Sequence, residues 1–247
     1  MAKQRVAAVL RGIAPMLAMV VVAIIASGCT VPAVSPGGDA GPPAAAPTLK
    51  VGDRWVYSGK DGYRVAITWQ ETHEIAAMTA EGITVKVTGQ GSTGDFARTE
   101  AWTAPGVVRV GAVYESETER FDPALIRFKY PLTPGETWSQ SIRDADKPVG
   151  PYGPIQRQVT IGGYEKVTTP AGTFDALKMR IFMQLDDETF WRYPTQCNYL
   201  LWYAPAVGNW VRQEQRSYYR NKDINTGGAV PGQNATIELM SYQPAPR

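Results

Sequence analysis

The stretch Leu177-Lys178-Met179-Arg180-Ile181-Phe182-Met183-Gln184 sets four apolar residues in one phase and a mostly polar row in the other. A period of two puts one row in a core and the other in water, the pattern of a half-buried antiparallel strand. The same period runs outward from it. Tyr63, Val65, Ile67 and Trp69 alternate with Arg64, Ala66, Thr68 and Gln70, and Ile83, Val85 and Val87 alternate with Thr84, Lys86 and Thr88. No stretch of about a dozen residues carries a helical stripe; Pro123 to Phe128 offers one short helical turn. Strands are predicted near 53–60, 62–75, 82–90, 97–103, 106–114, 137–143, 155–169, 173–184, 188–192, 198–204, 209–220 and 235–243, which makes 48–243 one all-β antiparallel domain.

Turn chemistry agrees. Pro170-Ala171-Gly172 fits a three-residue hairpin loop, since Pro presets φ and Gly supplies the left-handed residue. Ala204-Pro205-Ala206-Val207-Gly208 joins two aromatic-rich strands in a similar way, and Gly162-Gly163 marks a bend or tight turn. Asn221 to Asn234 is a polar, Gly-rich excursion expected to be mobile. Leu49-Lys-Val-Gly52-Asp-Arg-Trp55 is echoed 83 residues later by Leu132-Thr-Pro-Gly135-Glu-Thr-Trp138. Each half of the sheet is therefore expected to open with a turn whose Trp plugs one end of the core.

The 247 residues begin with a different kind of segment. Residues 1–28 carry Lys3, Arg5 and Arg11, no acid, and an apolar run from Ile13 to Ile25. That run is shorter than the ~20 residues a membrane-spanning helix needs, and it describes an export signal. Ala26-Ser27-Gly28-Cys29 resembles the bacterial lipobox, with Ala26 standing where Leu is usual. The resemblance implies cleavage after Gly28, acylation of Cys29 and, from Thr30 in place of Asp, sorting to the outer membrane where the host has one. Removing residues 1–28 takes the formal charge from +2 to −1, so no basic stripe points to nucleic acid. Residues 29–47 then form a lipidated Cys and a Pro/Ala/Gly-rich tether, too poor in apolar side chains to order itself.

Catalytic and metal chemistry is hard to assemble from the rest. His73 is the lone histidine and reads as a solvated residue at a strand end, which leaves a usual zinc site incomplete. Gly89-Gln-Gly91-Ser-Thr-Gly94 matches a dinucleotide fingerprint by letters, but a strand rather than a helix is expected next, so it reads as a hairpin loop. Glu115, Glu117 and Glu119 line one face of a strand; weak cation binding competes there with the preferred role of keeping an edge soluble. Asp186-Asp187-Glu188 fits a turn. Cys197, the one thiol of the mature body, reads as a small part-buried residue rather than a reactive group. No cofactor and no metal are expected.

Seven tryptophans fall in predicted strands. They read first as core and rim, and second as the lining of a ligand groove made by Trp55, Trp69, Trp138, Trp202 and Tyr203. Thr169-Pro-Ala-Gly-Thr-Phe174-Asp-Ala-Leu177-Lys and Leu201-Trp-Tyr-Ala-Pro205-Ala-Val-Gly208 resemble a widespread group of bacterial secreted proteins and lipoproteins of unassigned activity, the TapB-like proteins. In that resemblance Pro170, Gly172, Phe174, Pro205 and Gly208 are structural turn residues. The resemblance implies a single curved antiparallel sheet, a half-barrel or open barrel similar to the carriers LolA and LolB, and it implies no activity.

The expected function is a lipid-anchored, periplasm-facing β-domain that acts as a non-catalytic binding or scaffold module. Its expected contacts are the membrane, through acylated Cys29, and a lipid, glycan or envelope protein. A LolB-like carrier of a hydrophobic ligand is the alternative, and an envelope hydrolase the remaining one. Cys29→Ser is expected to move the protein from the membrane to the soluble fraction of fractionated cells; membrane attachment that survives the substitution contradicts the anchor.

Overall fold

The computed structural model describes residues 39–62, 65–115, 117–147, 154–223 and 228–246. The leader 1–28, Cys29 and the tether up to residue 38 lie outside them.

Among the described residues the alternation is realised in twelve strands: β1 (Arg54–Asp61), β2 (Ile67–Thr79), β3 (Gly82–Gly91), β4 (Gly94–Ala104), β5 (Val107–Gly111), β6 (Glu119–Ile126), β7 (Thr137–Asp144), β8 (Ile155–Thr169), β9 (Gly172–Gln184), β10 (Gln196–Ala204), β11 (Asn209–Arg220) and β12 (Ala229–Gln243). Each pairs antiparallel with its neighbour in the chain. β12 then returns to β1, from Arg54↔Gln243 to Asp61↔Ala235, so the curved sheet anticipated as half or open is closed into a barrel. Closure leaves no long edge for another chain to pair with.

The thinnest seam lies between β6 and β7, which share only the pairs Phe121↔Asp144 and Asp122↔Arg143. Pro123 has no N–H to give the ladder. The Gln140 side chain continues it instead: its amide donates to Ala124 O at 2.6 Å, and its carbonyl accepts Ile126 N at 2.9 Å. The seam is thus stitched by a side chain where backbone pairing stops.

Some sequence expectations shift. The short helical turn at Pro123 to Phe128 is strand over most of its length, and the one short helix among the described residues is the 3-10 turn Pro205–Val207. Residues 188–192 are a loop, held by Arg192 Nη2 on Asp187 Oδ2 at 2.9 Å and Lys222 Nζ on Glu188 Oε1 at 2.6 Å. The end of the polar excursion, from Ala229, extends β12 along β11. Gly162-Gly163 sits in a β-bulge inside β8.

The repeated turn does what its residues suggest. Gly52 and Gly135 have φ of +97° and +86°, which L side chains rarely adopt. Gly52 N donates to Ile75 O while Ile75 N donates to Asp53 O; Gly135 N donates to Ile161 O while Ile161 N donates to Glu136 O. The two halves also match at the next turn, where Thr79↔Gly82 and Thr169↔Gly172 close hairpins with glycines at φ +141° and +131°. These devices all sit at one end of the barrel. There Trp55, Trp138, Leu132, Leu177 and Tyr203 are buried in an apolar plug, with Trp55 Nε1 donating to Val207 O at 2.9 Å.

Part of the expected tether belongs to this closed end. Asp39 bridges to Tyr164, Ala44 bridges to Leu132, and Tyr164 Oη donates to Pro42 O at 3.0 Å. Ala44 is buried, and Gly41 lies against the Tyr164 ring where a Cβ would come within 2.6 Å of it. Composition suggests a free leash to residue 47; backbone pairing at Asp39 and Ala44 and contact with Tyr164 hold part of its last nine residues instead.

Leu132 is fully buried under this strap. Leu132→Ala is expected to lower unfolding stability by about 2–5 kcal/mol. Phe190→Ala, at a side chain 88% exposed, is expected to change it by less than about 0.5 kcal/mol. Urea denaturation of the two variants checks the difference.

Candidate functional site

Above the plug the barrel interior is not filled. A cavity of about 460 Å³ opens at the end opposite the strap. Its floor follows from the inward phase of two strands. On β2 that phase reads Trp69, Glu71, His73, Ile75, and on β4 it reads Phe96, Arg98, Glu100, Trp102. Midway along each strand the inward residues are ionisable rather than apolar.

Those groups neutralise one another in part. Glu100, 0% exposed, accepts from Arg127 Nη1 at 3.0 Å, from Trp102 Nε1 at 2.9 Å and from Arg98 Nε at 3.3 Å. Burial by itself would raise its carboxyl; Arg127 and then Arg98 overcome that and hold it at about 2. Glu71 sits 2.9 Å from His73 Nε2 and accepts from Trp69 Nε1 at 3.3 Å. Burial opposes its charge too, and the His73 contact, then Arg98, keeps it below the ordinary carboxylate value. The His73 ring meets Tyr57 edge-on, and Tyr57 stacks on Trp210 at 3.7 Å between centroids.

Nearer the mouth the lining changes. Trp69 lies over Gly59, where a Cβ would be 2.1 Å from its ring, so glycine there makes room for the indole. Gly89 does the same for Phe96, again at 2.1 Å. The opposite wall has Met183, Ile181 and Leu201, with the amides of Gln213, Gln215 and Gln233 beside them. Tyr199 donates to Gln233, whose amide donates to Gln215 at 3.3 Å. Apolar surface with a few fixed polar groups is the usual make-up of a small-ligand site.

Of the five residues expected to line a groove, only Trp69 reaches the cavity. Trp55, Trp138 and Tyr203 belong to the plug. Trp202 is in the outward phase of β10, with Lys178 Nζ 5.2 Å and Arg212 Cζ 5.4 Å from its ring centre and Nε1 on Glu165. Large area made indoles look like groove, but strand phase decides their side. His73 is 6% exposed and inside the barrel, not solvated. Glu119 is buried beside Lys147, Glu117 is exposed, and Glu115 stands at the mouth with φ +53°.

The hairpin reading of Gly89 to Gly94 holds, since Gly91↔Gly94 closes β3 onto β4. Asp187 accepts from Thr195 N at 2.8 Å and so fixes its own loop. Cys197 is fully buried, and burial pushes its thiol up to about 12, far from a reactive thiolate. Pro170, Gly172 and Phe174 form the β8–β9 hairpin, while Gly208 at φ +63° ends the turn begun by Pro205 and donates to Pro205 O. Among the described residues no cluster of three or more His, Cys, Asp or Glu is placed to hold a metal ion. The residues missed from sequence are Glu71, Arg98, Glu100, Arg127, Arg157, Tyr199 and Trp210; a shared phase with Ile75, Trp102 or Leu201 was the available signal for Glu71, Arg98, Glu100 and Tyr199, and a shared phase with Ile155 and Val159 for Arg157, whereas Arg127 lies just past β6 where no strand phase applies.

Residues 153–227 match the DUF3108-like family model. That stretch contains both motifs on which the TapB-like resemblance rests. No curated protein matches the chain. Two crystal structures are similar: a provisionally assigned lipoprotein from Parabacteroides distasonis, with 16% identity and a TM-score of 0.40, and a provisionally assigned exported protein with YmcC-like fold from Bacteroides fragilis, with 13% identity and a TM-score of 0.40. In each case the match covers 82% of this chain and 100% of the other.

The Glu100 carboxyl fixes a pH dependence. Its value is lowered on folding from 4.5 to about 2, so its contribution is complete above pH 4.5 and is lost as pH falls toward 2. Glu100→Gln leaves two partly buried guanidinium groups without their fully buried carboxylate and is expected to cost about 3–5 kcal/mol at neutral pH. Over that acid interval the variant's stability is expected to fall less steeply than the parent's, measured by urea denaturation across pH.

Proposed function

We propose that this chain is an exported, lipid-anchored envelope protein whose barrel is a non-catalytic binding module for one small molecule. The observation that carries the reading is the cavity itself: plugged at the strapped end, open at the other, and lined by aromatic, aliphatic and amide groups around an ionic floor. The export signal and Cys29 at the start of the sequence support envelope placement, facing the periplasm from the outer membrane in a Gram-negative host. Stable attachment follows from more than one acyl chain on Cys29.

The ionic floor weighs against a LolB-like carrier. A carrier of acyl chains alone calls for a continuous apolar hollow, whereas here Glu71, His73, Arg98 and Glu100 interrupt it. The hydrolase alternative would draw on His73, yet that ring is packed against Tyr57 and Trp210, and its Nε2 is tied to Glu71. A scaffold role in contact with an envelope protein has one feature in its favour, the exposed Phe190, Trp191 and Tyr193 on the β9–β10 loop.

Native mass spectrometry of protein purified from its own membranes is expected to show a mass beyond that of the acylated chain, released on denaturation. A clean apo mass, together with loss of a pulled-down protein on changing Phe190 and Trp191 to Ser, would favour the scaffold over the binding module.

A further inference from the structure

Among the described residues, one positive charge at the cavity floor has no counter-ion. Arg157 projects from the inward phase of β8, between Ile155 and Val159, and is 5% exposed. Among the described residues no carboxylate lies within ion-pair distance of it. Its one hydrogen bond among the described residues runs from Nη1 to Ile126 O at 2.9 Å, and a guanidinium carries five donors. The adjacent Arg127 is engaged by Glu100, and Arg98 by the same carboxylate. Glu71 is engaged by His73. The floor therefore holds three guanidinium groups against two carboxylates. The cavity's other acids, Asp61 and Glu115, stand at the mouth, and Asp61 accepts Asn234 N at 2.7 Å.

A buried cation left unpaired is strongly destabilising. Burial, and then the neighbouring Arg127, act against the charge of Arg157 and bring it down to about 9, which leaves it charged at neutral pH. An anion arriving in the cavity would remove that penalty and gain a bidentate, charge-assisted contact. Directly across from Arg157 on β9 stands Met183, and Ile181, Leu201 and Leu125 line the same cavity. The lone charge and the aliphatic wall are contiguous.

We infer that the cavity accepts an acidic amphiphile, a carboxylate or phosphate on a short apolar body, with Arg157 as the seat of the acid group. The inference rests on the binding-module reading above and names the ligand class for it. A free inorganic anion would leave the aliphatic wall wet, and a neutral amphiphile would leave the guanidinium unpaired.

The test is titration of the delipidated protein with decanoate, decyl phosphate, decanol and inorganic phosphate, followed by the fluorescence of Trp69 and Trp210 and by calorimetry. Decanoate or decyl phosphate is expected to bind at least about tenfold more tightly than decanol, and than inorganic phosphate. Arg157→Met, with its fold checked by circular dichroism, is expected to bring the acid-to-alcohol ratio close to one while decanol still binds. Equal affinity for decanol and decanoate in the parent protein would overturn the inference and leave the binding module standing. Inorganic phosphate matching decyl phosphate would overturn it likewise. No binding by any of the four would overturn both. The comparison of ligands on the parent protein stands even if the variant does not fold.

Discussion

A sheet of twelve strands closed on itself encloses more space than its own side chains fill. About eight strands make a barrel whose interior side chains just pack, and wider barrels hold a cavity or a channel. Everything distinctive in this chain answers that constraint. At the strapped end the extra space is taken up by Trp55, Trp138, Tyr203 and Phe128, and the strap covers Leu132 from outside. At the other end small residues face inward at Gly59, Gly89 and Gly91, and the space stays open.

Between plug and cavity the chain places its most expensive groups. A carboxylate as deeply buried as Glu100 is tolerated only where its charge and lone pairs are met, and it has two guanidinium groups and an indole N–H to meet it. Those contacts also orient the arginines, which stack on Phe96 and Trp102 at 6.0 and 5.5 Å. The network thus gives the floor a defined arrangement of charge. Replacing it with leucines would extend the apolar plug upward. The positions where it lies are then where the barrel departs from apolar packing, which is where the proposed binding role would be served.

Much of the architecture was legible because strand phase is a local property. The spacing of Leu177 to Met183 and the exact bounds of β8 follow from alternation and from turn residues alone. The Gly-acid-Trp echo placed two tryptophans at one end, where they are found. Closure was not legible, because it depends on β1 meeting β12 across most of the chain's length, a pairing that no local pattern encodes. The site failed for a narrower reason. Polarity places His73 in water, although it shares a phase with Ile75, and size places Trp202 in a groove, although Leu201 and Tyr203 on either side of it are the residues that face inward. In a barrel whose interior is partly lined by polar side chains, polarity no longer tells inside from outside, whereas phase still does.

The two halves of the barrel share their devices only at the plugged end. Gly52 and Gly135, Gly82 and Gly172, and the reciprocal bonds around Ile75 and Ile161 are pairs, each fixing the same turn twice. The floor is not shared. The first half contributes Glu71, His73, Arg98, Glu100 and, just past β6, Arg127; the second contributes Arg157 and a row of neutral amides. Were the floor a requirement of the scaffold, the same geometry in both halves would demand similar residues in both. On the proposed reading a ligand in the cavity accounts for that one-sidedness, which the sheet alone does not require. Among the described residues the guanidinium of Arg157, on the amide side, is the one that no carboxylate of the floor pairs with.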